Sequence, residues 1–156
     1  MVMELKILLL LNLFVYAIVV GQSFLYIIAL RNVQESMEAP SYIELRKLLD
    51  KNFLQKFKPV MYLSLLLNTV FVILSLLQSS VLLLTCAIIA FAAIVIDAVL
   101  ASKGNMPINR IINSWTATTY PANWKEYRSK WMYWYSLRQF ANISGFIALL
   151  IAAVFC

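Results

Sequence analysis

The sequence predicts an all-α protein: a four-helix transmembrane bundle with interfacial amphipathic helices in its two long connections. Three observations carry that expectation. Hydrophobic residues make up 63% of the chain and charged residues 13%, against about 45–50% apolar and about 25% charged in soluble domains. Four apolar runs, at 7–30, 59–77, 81–101 and 140–155, reach or approach the roughly 20 residues a helix needs to cross a bilayer. The basic residues flank these runs rather than interrupt them. At 156 residues the chain is one domain's worth, a single integral membrane domain over 1–156.

Taken in order, the first run starts after Lys6 and contains no small-x-small cleavage site near Gly21. Its length exceeds a signal-peptide core, so a retained helix is expected. The segment 41–58 reads as an amphipathic helix lying in the membrane interface. Tyr42, Leu45, Leu48, Leu49, Phe53 and Phe57 recur at helical spacing, with Arg46, Lys47, Asp50, Lys51 and Lys56 on the other face. Only Gln78, Ser79 and Ser80 separate the second and third runs, which forces an antiparallel hairpin. Pro107 can open a short helix through Trp115, and 116–121 breaks it. Asn123 followed by Glu126 reads as a capping box, starting a helix of about 30 residues that ends at Phe155. Its first half carries Trp124, Tyr127, Trp131, Tyr133, Trp134 and Tyr135, expected as an interfacial aromatic belt.

Orientation follows from lysine and arginine. One long connection holds Arg31, Arg46, Lys47, Lys51, Lys56 and Lys58, the other Lys103, Arg110, Lys125, Arg128, Lys130 and Arg138, and the opposite side only Lys6. The positive-inside rule puts both connections in the cytoplasm and both termini outside.

Composition narrows the function classes. The net charge of +6, arranged around apolar runs, points to anionic lipid headgroups rather than nucleic acid. Histidine is absent, which removes His-ligated haem, the common zinc and copper sites and His-dependent triads. No metal or cofactor is expected. Cys86 and Cys156 form no Cys-x-x-Cys motif. They leave open either a disulfide between the third and fourth helices or two ordinary buried thiols.

Most polar groups in the spans read as packing. Ser64, Asn68, Ser75 and Ser79 share one stripe. Cys86, Ala90, Ala93, Asp97 and Ala101 form a mostly small one, and Ala141, Gly145, Ala148 and Ala152 form another. Small residues let helices approach, and hydroxyls and amides bond across the gap. Asp97 stands apart as the only acid within a span. An unpaired charge in the membrane costs several kcal/mol, so a basic partner at matching depth is expected, Arg138 above Arg31 or Lys58. Gln22, Tyr26, Asp97, Tyr135, Arg138 and Asn142 could converge near the inner leaflet. Asn105, Asn109 and Asn113 follow at intervals of four and either cap helix ends or line a pocket mouth. With Trp131, the candidate polar pocket comprises Gln22, Tyr26, Asp97, Asn105, Asn109, Trp131, Tyr135, Arg138 and Asn142.

The run Asn105-Met106-Pro107-Ile108-Asn109, followed by Trp115, Trp131 and Arg138, resembles the C-terminal signature of the anthrone oxygenase-like family of four-span membrane proteins. The resemblance covers the last third of the chain; the rest matches by layout. It implies a cofactor-independent monooxygenase acting on a lipophilic aromatic carbanion, with Asp97 or a tyrosine taking the proton and Arg138 and the asparagines stabilising an enolate. The residues themselves point first to a small integral membrane protein that binds a lipophilic small molecule or a membrane protein partner, with the oxygenase as the alternative.

Overall fold

The computed structural model describes residues 2–156, apart from the side chain of Leu54, and the described residues contain helices and no strand. Helix α1 (Met3–Leu25) passes through a π turn, Tyr26–Leu30, into α2 (Arg31–Ser36). Helix α3 (Ala39–Leu76) is joined by a tight turn to α4 (Val81–Leu100). A second π turn, Ala101–Asn105, leads from α4 into α5 (Met106–Asn113), and α6 (Trp124–Phe155) closes the chain. Met3–Ser36, Gln55–Leu76, Val81–Asn113 and Trp124–Phe155 are each long and apolar enough to cross a membrane.

The spans pack in the cyclic order α1, α3, α4, α6, with α4 against α6 the most extensive seam. That seam is made of small side chains: Ala87, Ala90 and Ala93 on α4, and Ala141, Gly145, Ala148 and Ala152 on α6, all buried. Large apolar residues point outward instead; Phe14, Leu77, Val81 and Phe140 are each at least 70% exposed. Lipid tails are as apolar as a protein core, so close packing of small residues takes over the role that apolar burial has in water. Ser64, Asn68 and Ser75 are fully buried, and the Asn68 amide crosses to Asn12 Oδ1 at 3.0 Å. Ser75 instead donates to Phe71 O on its own helix, and Ser79 is exposed.

The hairpin expected at 78–80 is present, and Ser80 caps α4 by accepting from Leu83 N at 3.3 Å. Four other expectations are corrected. The segment 41–58 is not a separate interfacial helix; it runs without a break through Pro59 into the second span. The reason lies in the residues it buries: Ala39, Tyr42, Ile43 and Arg46, at helical spacing, form an inward stripe, while Leu48 and Phe53 face outward. The helix that carries the third apolar run does not end at residue 101, with a separate short helix after it, but continues through the π turn to Asn113. The aromatic residues of α6 do not form a belt. Trp124, Trp131 and Tyr135 are buried in a second core with Tyr26, Tyr42 and Ile112, and Tyr133 is the exposed one. The expected capping box is absent: Asn123 Nδ2 donates to Glu126 Oε2 at 3.3 Å, and no side chain caps the α6 backbone. Cys86 is buried, Cys156 packs against the same core, and no disulfide joins them.

Two glycines are fixed by close approach. A methyl on Gly104 would collide with the Trp134 ring. A methyl on Gly145 would collide with the Tyr16 hydroxyl and lie 2.7 Å from Ala93 Cβ. Overpacking such a seam costs about 1–3 kcal/mol. Gly145→Ala should lower the thermal-unfolding midpoint in detergent, and Tyr16→Phe added to it should restore part of the loss. An unchanged midpoint in the single variant would show that the seam is loose.

Candidate functional site

Asp97 lies in the last turn of α4, one turn below the π turn, where it faces α6. Arg138 meets it in a two-pronged pair: Nε to Oδ1 at 2.8 Å and Nη2 to Oδ2 at 3.3 Å. Asn142, one turn along α6, donates Nδ2 to the same Oδ1 at 3.0 Å. The carboxylate is 0% exposed, so this pairing is what makes its burial tolerable. Arg138 Nη1 reaches Asn105 Oδ1 at 3.4 Å, and Asn105 Nδ2 donates to the Trp131 carbonyl at 2.9 Å. Asn105 can do this because the π turn adds a residue to the helix and changes the direction in which later side chains point.

Trp131 connects this pair to a second network. Its indole Nε1 donates to Asn109 Oδ1 at 2.8 Å, and Arg46 Nη2 donates to the same oxygen at 2.9 Å. The Arg46 guanidinium lies over the Trp131 ring, 3.8 Å from its centroid. Asn109 Nδ2 and Asn113 Nδ2 clamp the two oxygens of Asp50, at 2.8 Å and 2.7 Å. Tyr26, at the start of the first π turn, packs against the stacked pair Trp131 and Tyr135, with centroids 5.6 Å and 4.6 Å away, and donates to Gln34 Oε1 at 2.9 Å. Burial pushes the Arg46 pKa down from the usual guanidinium value, opposed by nearby tyrosines and Asp50. Burial also pushes the Tyr42 phenol up, opposed by Arg46 and Arg128. The π face of Trp131 and the Asn109 carbonyl replace part of the water that Arg46 gives up.

Eight of the nine residues expected to form a polar pocket therefore meet in one connected cluster: Tyr26, Asp97, Asn105, Asn109, Trp131, Tyr135, Arg138 and Asn142. Gln22 does not join it; its amide nitrogen is buried without a hydrogen-bond partner among the described residues. Asn109 and Asn113 hold the Asp50 carboxylate. The sequence pattern placed Arg46 and Asp50 on the basic face of an interfacial helix, whereas the structure buries Arg46 and clamps Asp50 between two asparagines. Gln34 and Arg128 were also missed. Arg128 Nη1 holds the Gln34 and Met37 carbonyls at 2.9 Å and 3.0 Å, tying α2 to α6.

The cluster is packed rather than hollow: Asp97, Asn105 and Asn142 are at most 2% exposed. Two open clefts lie beside it. One, of about 480 Å³, lies between α2 and α6 and is lined by Arg31, Glu35, Arg128, Ser129, Met132, Tyr133 and Ser136. The other, of about 320 Å³, lies between α3 and α4 and is lined by Met61, Tyr62, Leu65, Ile94, Val95, Ala98, Val99 and Ser102.

The fold and this cluster define the class as a multi-pass helical membrane protein with a buried ion pair at one end of its bundle. No family model matches the chain, and no curated protein or solved structure matches it.

Removing one member of a buried pair costs about 3–5 kcal/mol, whereas replacing both with apolar residues is often close to neutral. Asp97→Ala should therefore strongly destabilise the bundle in detergent, and Asp97→Leu with Arg138→Met should recover most of that loss. A double-mutant cycle with coupling near zero would mean that the pair does not hold α4 to α6.

Proposed function

We propose that this chain is a non-catalytic membrane protein that takes up a lipophilic small molecule from the bilayer, in the groove between α3 and α4. The observation that carries this reading is the lining of that groove. It is almost wholly apolar, with the Tyr62 and Ser102 side chains as its polar groups, and the Lys58 ammonium lies 5.7 Å from the Tyr62 ring centroid. A long apolar body with one polar tip, as in a quinone or an isoprenoid, fits such a site. Its volume falls at the lower end of the roughly 300–1,000 Å³ typical of small-molecule sites.

The burial of Asp97 and its pairing with Arg138 weigh against the oxygenase alternative. A substrate would have to reach a carboxylate that is 0% exposed. A base needs hydrogen-bond reach of the proton it removes.

Native mass spectrometry of the full chain, released from mild detergent, is expected to show a co-purified lipophile. Ala98→Phe, which fills the groove, should abolish the adduct without lowering the unfolding midpoint. An adduct that survives Ala98→Phe, or its absence from the unaltered protein, would remove the groove as the site.

The same reading puts both termini outside and both long connections in the cytoplasm, on the excess of lysine and arginine in those connections. In a background lacking Cys86 and Cys156, Val2→Cys should react with an impermeant thiol reagent on intact cells, and Lys51→Cys should not. The reverse pattern would invert the orientation and leave the fold untouched.

A further inference from the structure

We infer that the open cleft between α2 and α6 is a binding site for the phosphate headgroup of an anionic phospholipid. It is separate from the α3/α4 groove and does not depend on that groove being occupied. The cleft has two guanidinium groups and one carboxylate. Arg128 is held in place by its Nη1 bonds to the Gln34 and Met37 carbonyls and by the Trp124 ring, 4.7 Å from its guanidinium carbon. Its orientation is thus set before any ligand arrives, which lowers the ordering cost of binding. Arg31 is tied only to Glu35, Nε to Oε1 at 3.1 Å, and both side chains are about half exposed, at 51% and 45%. An exposed pair one helical turn apart is worth little, so Arg31 can turn to a phosphate oxygen at small cost. Ser129 and Tyr133 add exposed hydroxyls at the same cleft. With volume of about 480 Å³, the site lies within the usual range for small ligands.

The cleft's depth and surroundings select a lipid over a free anion. Tyr26 packs edge-on against Tyr135 at 4.6 Å, and Gln139 Nε2 reaches Ser23 O at 3.4 Å, so the α1 and α6 levels are matched. The cleft residues lie just beyond that level, past Arg138 and its buried pair, where the spans give way to polar chain. Toward the membrane the same stripes turn apolar. On α6, Tyr133 and Ser136 are followed at helical spacing by Leu137 and Phe140, and Phe140 is 75% exposed. On the α1 side, Ile27 and Ile28 in the π turn next to Arg31 are exposed, at 47% and 76%. A headgroup in the cleft would set its acyl chains along these exposed residues. The excess of one positive charge favours an anionic headgroup over a zwitterionic one.

Each basic residue near a membrane surface is worth about fivefold in binding an anionic lipid. The experiment is native mass spectrometry of the full chain titrated with dioleoyl phosphatidylglycerol, phosphatidylethanolamine or phosphatidylcholine, with unfolding midpoints measured alongside. Phosphatidylglycerol should be retained about fivefold better than either zwitterionic lipid. Arg31→Gln should lower that retention by at least a similar factor, and Glu35→Gln should raise it. The gain in Glu35→Gln keeps the test readable even if Arg31→Gln disturbs α2. Equal retention of all three lipids, or no response to either substitution, would overturn the inference. So would a preference for phosphatidylethanolamine that Glu35→Gln abolishes, which would mean an ammonium-reading site. Displacement of phosphatidylglycerol by millimolar glycerol phosphate would overturn the lipid assignment and show that the cleft reads a free phosphate. Ala98→Phe should leave phosphatidylglycerol retention unchanged, so failure at either site is distinguishable from failure at the other.

Discussion

The structure depends on one ion pair. Asp97 is buried and Arg138 is partly buried where α4 leaves its apolar run and α6 enters one, and the carboxylate is not stable there alone. Their two-pronged geometry fixes the relative height of the two helices. It also sets their rotation, because the guanidinium fork engages a carboxylate in few orientations. Below the pair, that height brings the alanines of α4 opposite Gly145, Ala148 and Ala152. Above it, the same height puts Asn105 against the Trp131 carbonyl and so starts the second network. An error of one turn in this register would separate both regions.

The two ends of the bundle are held by different physics. In the span region, small residues approach closely and a few amides and hydroxyls bond across helices. Beyond the pair, large aromatic rings stack around a buried arginine, two side chains donate to a single asparagine oxygen and two amides donate to the Asp50 carboxylate. Arg46 shows why the second arrangement is viable outside the hydrocarbon. Its cationic plane has an indole on one side and an amide oxygen at its edge, and a guanidinium is the basic group best suited to both contacts. The result is a rigid end bearing an open polar cleft, next to a span region bearing an open apolar one.

Much of this was legible from the chain. The cost of a lone carboxylate, with the depth of Arg138, was enough to anticipate the Asp97 pair. The spacing of small residues anticipated the α4/α6 seam, and the three residues after Leu77 anticipated the hairpin. Arg46 was not legible, because a basic residue on a helix outside the spans is ordinarily solvated. Only the tertiary arrival of Trp131 and Asn109 makes its burial favourable. The continuity of α3 through Pro59 was hidden for a related reason, since proline usually ends a helix and tertiary packing overrides that tendency here. Gln22 was drawn into the expected pocket by its spacing from Tyr26. The π turn that begins at Tyr26 belongs to the half of the chain beyond Gln22, and Tyr26 itself turns toward Trp131 and Tyr135. The function was the least legible part, because a packed polar cluster and a catalytic one draw on the same residue types.

The two π turns have a consequence for how this chain can change over generations. Each contains one residue more than regular α-helix would place there, and each residue of α-helix advances the spiral by about 100°. A single-codon deletion within Tyr26–Leu30 or Ala101–Asn105 would therefore leave the local chain a better regular helix while rotating the downstream residues out of phase. Arg31 and Glu35 would swing away from α6 in one case, and Asn109 from Trp131 in the other. Divergence in this chain is thus constrained more by length than by spelling. Lipid-facing positions can exchange one apolar residue for another freely, but these two five-residue stretches must keep their count.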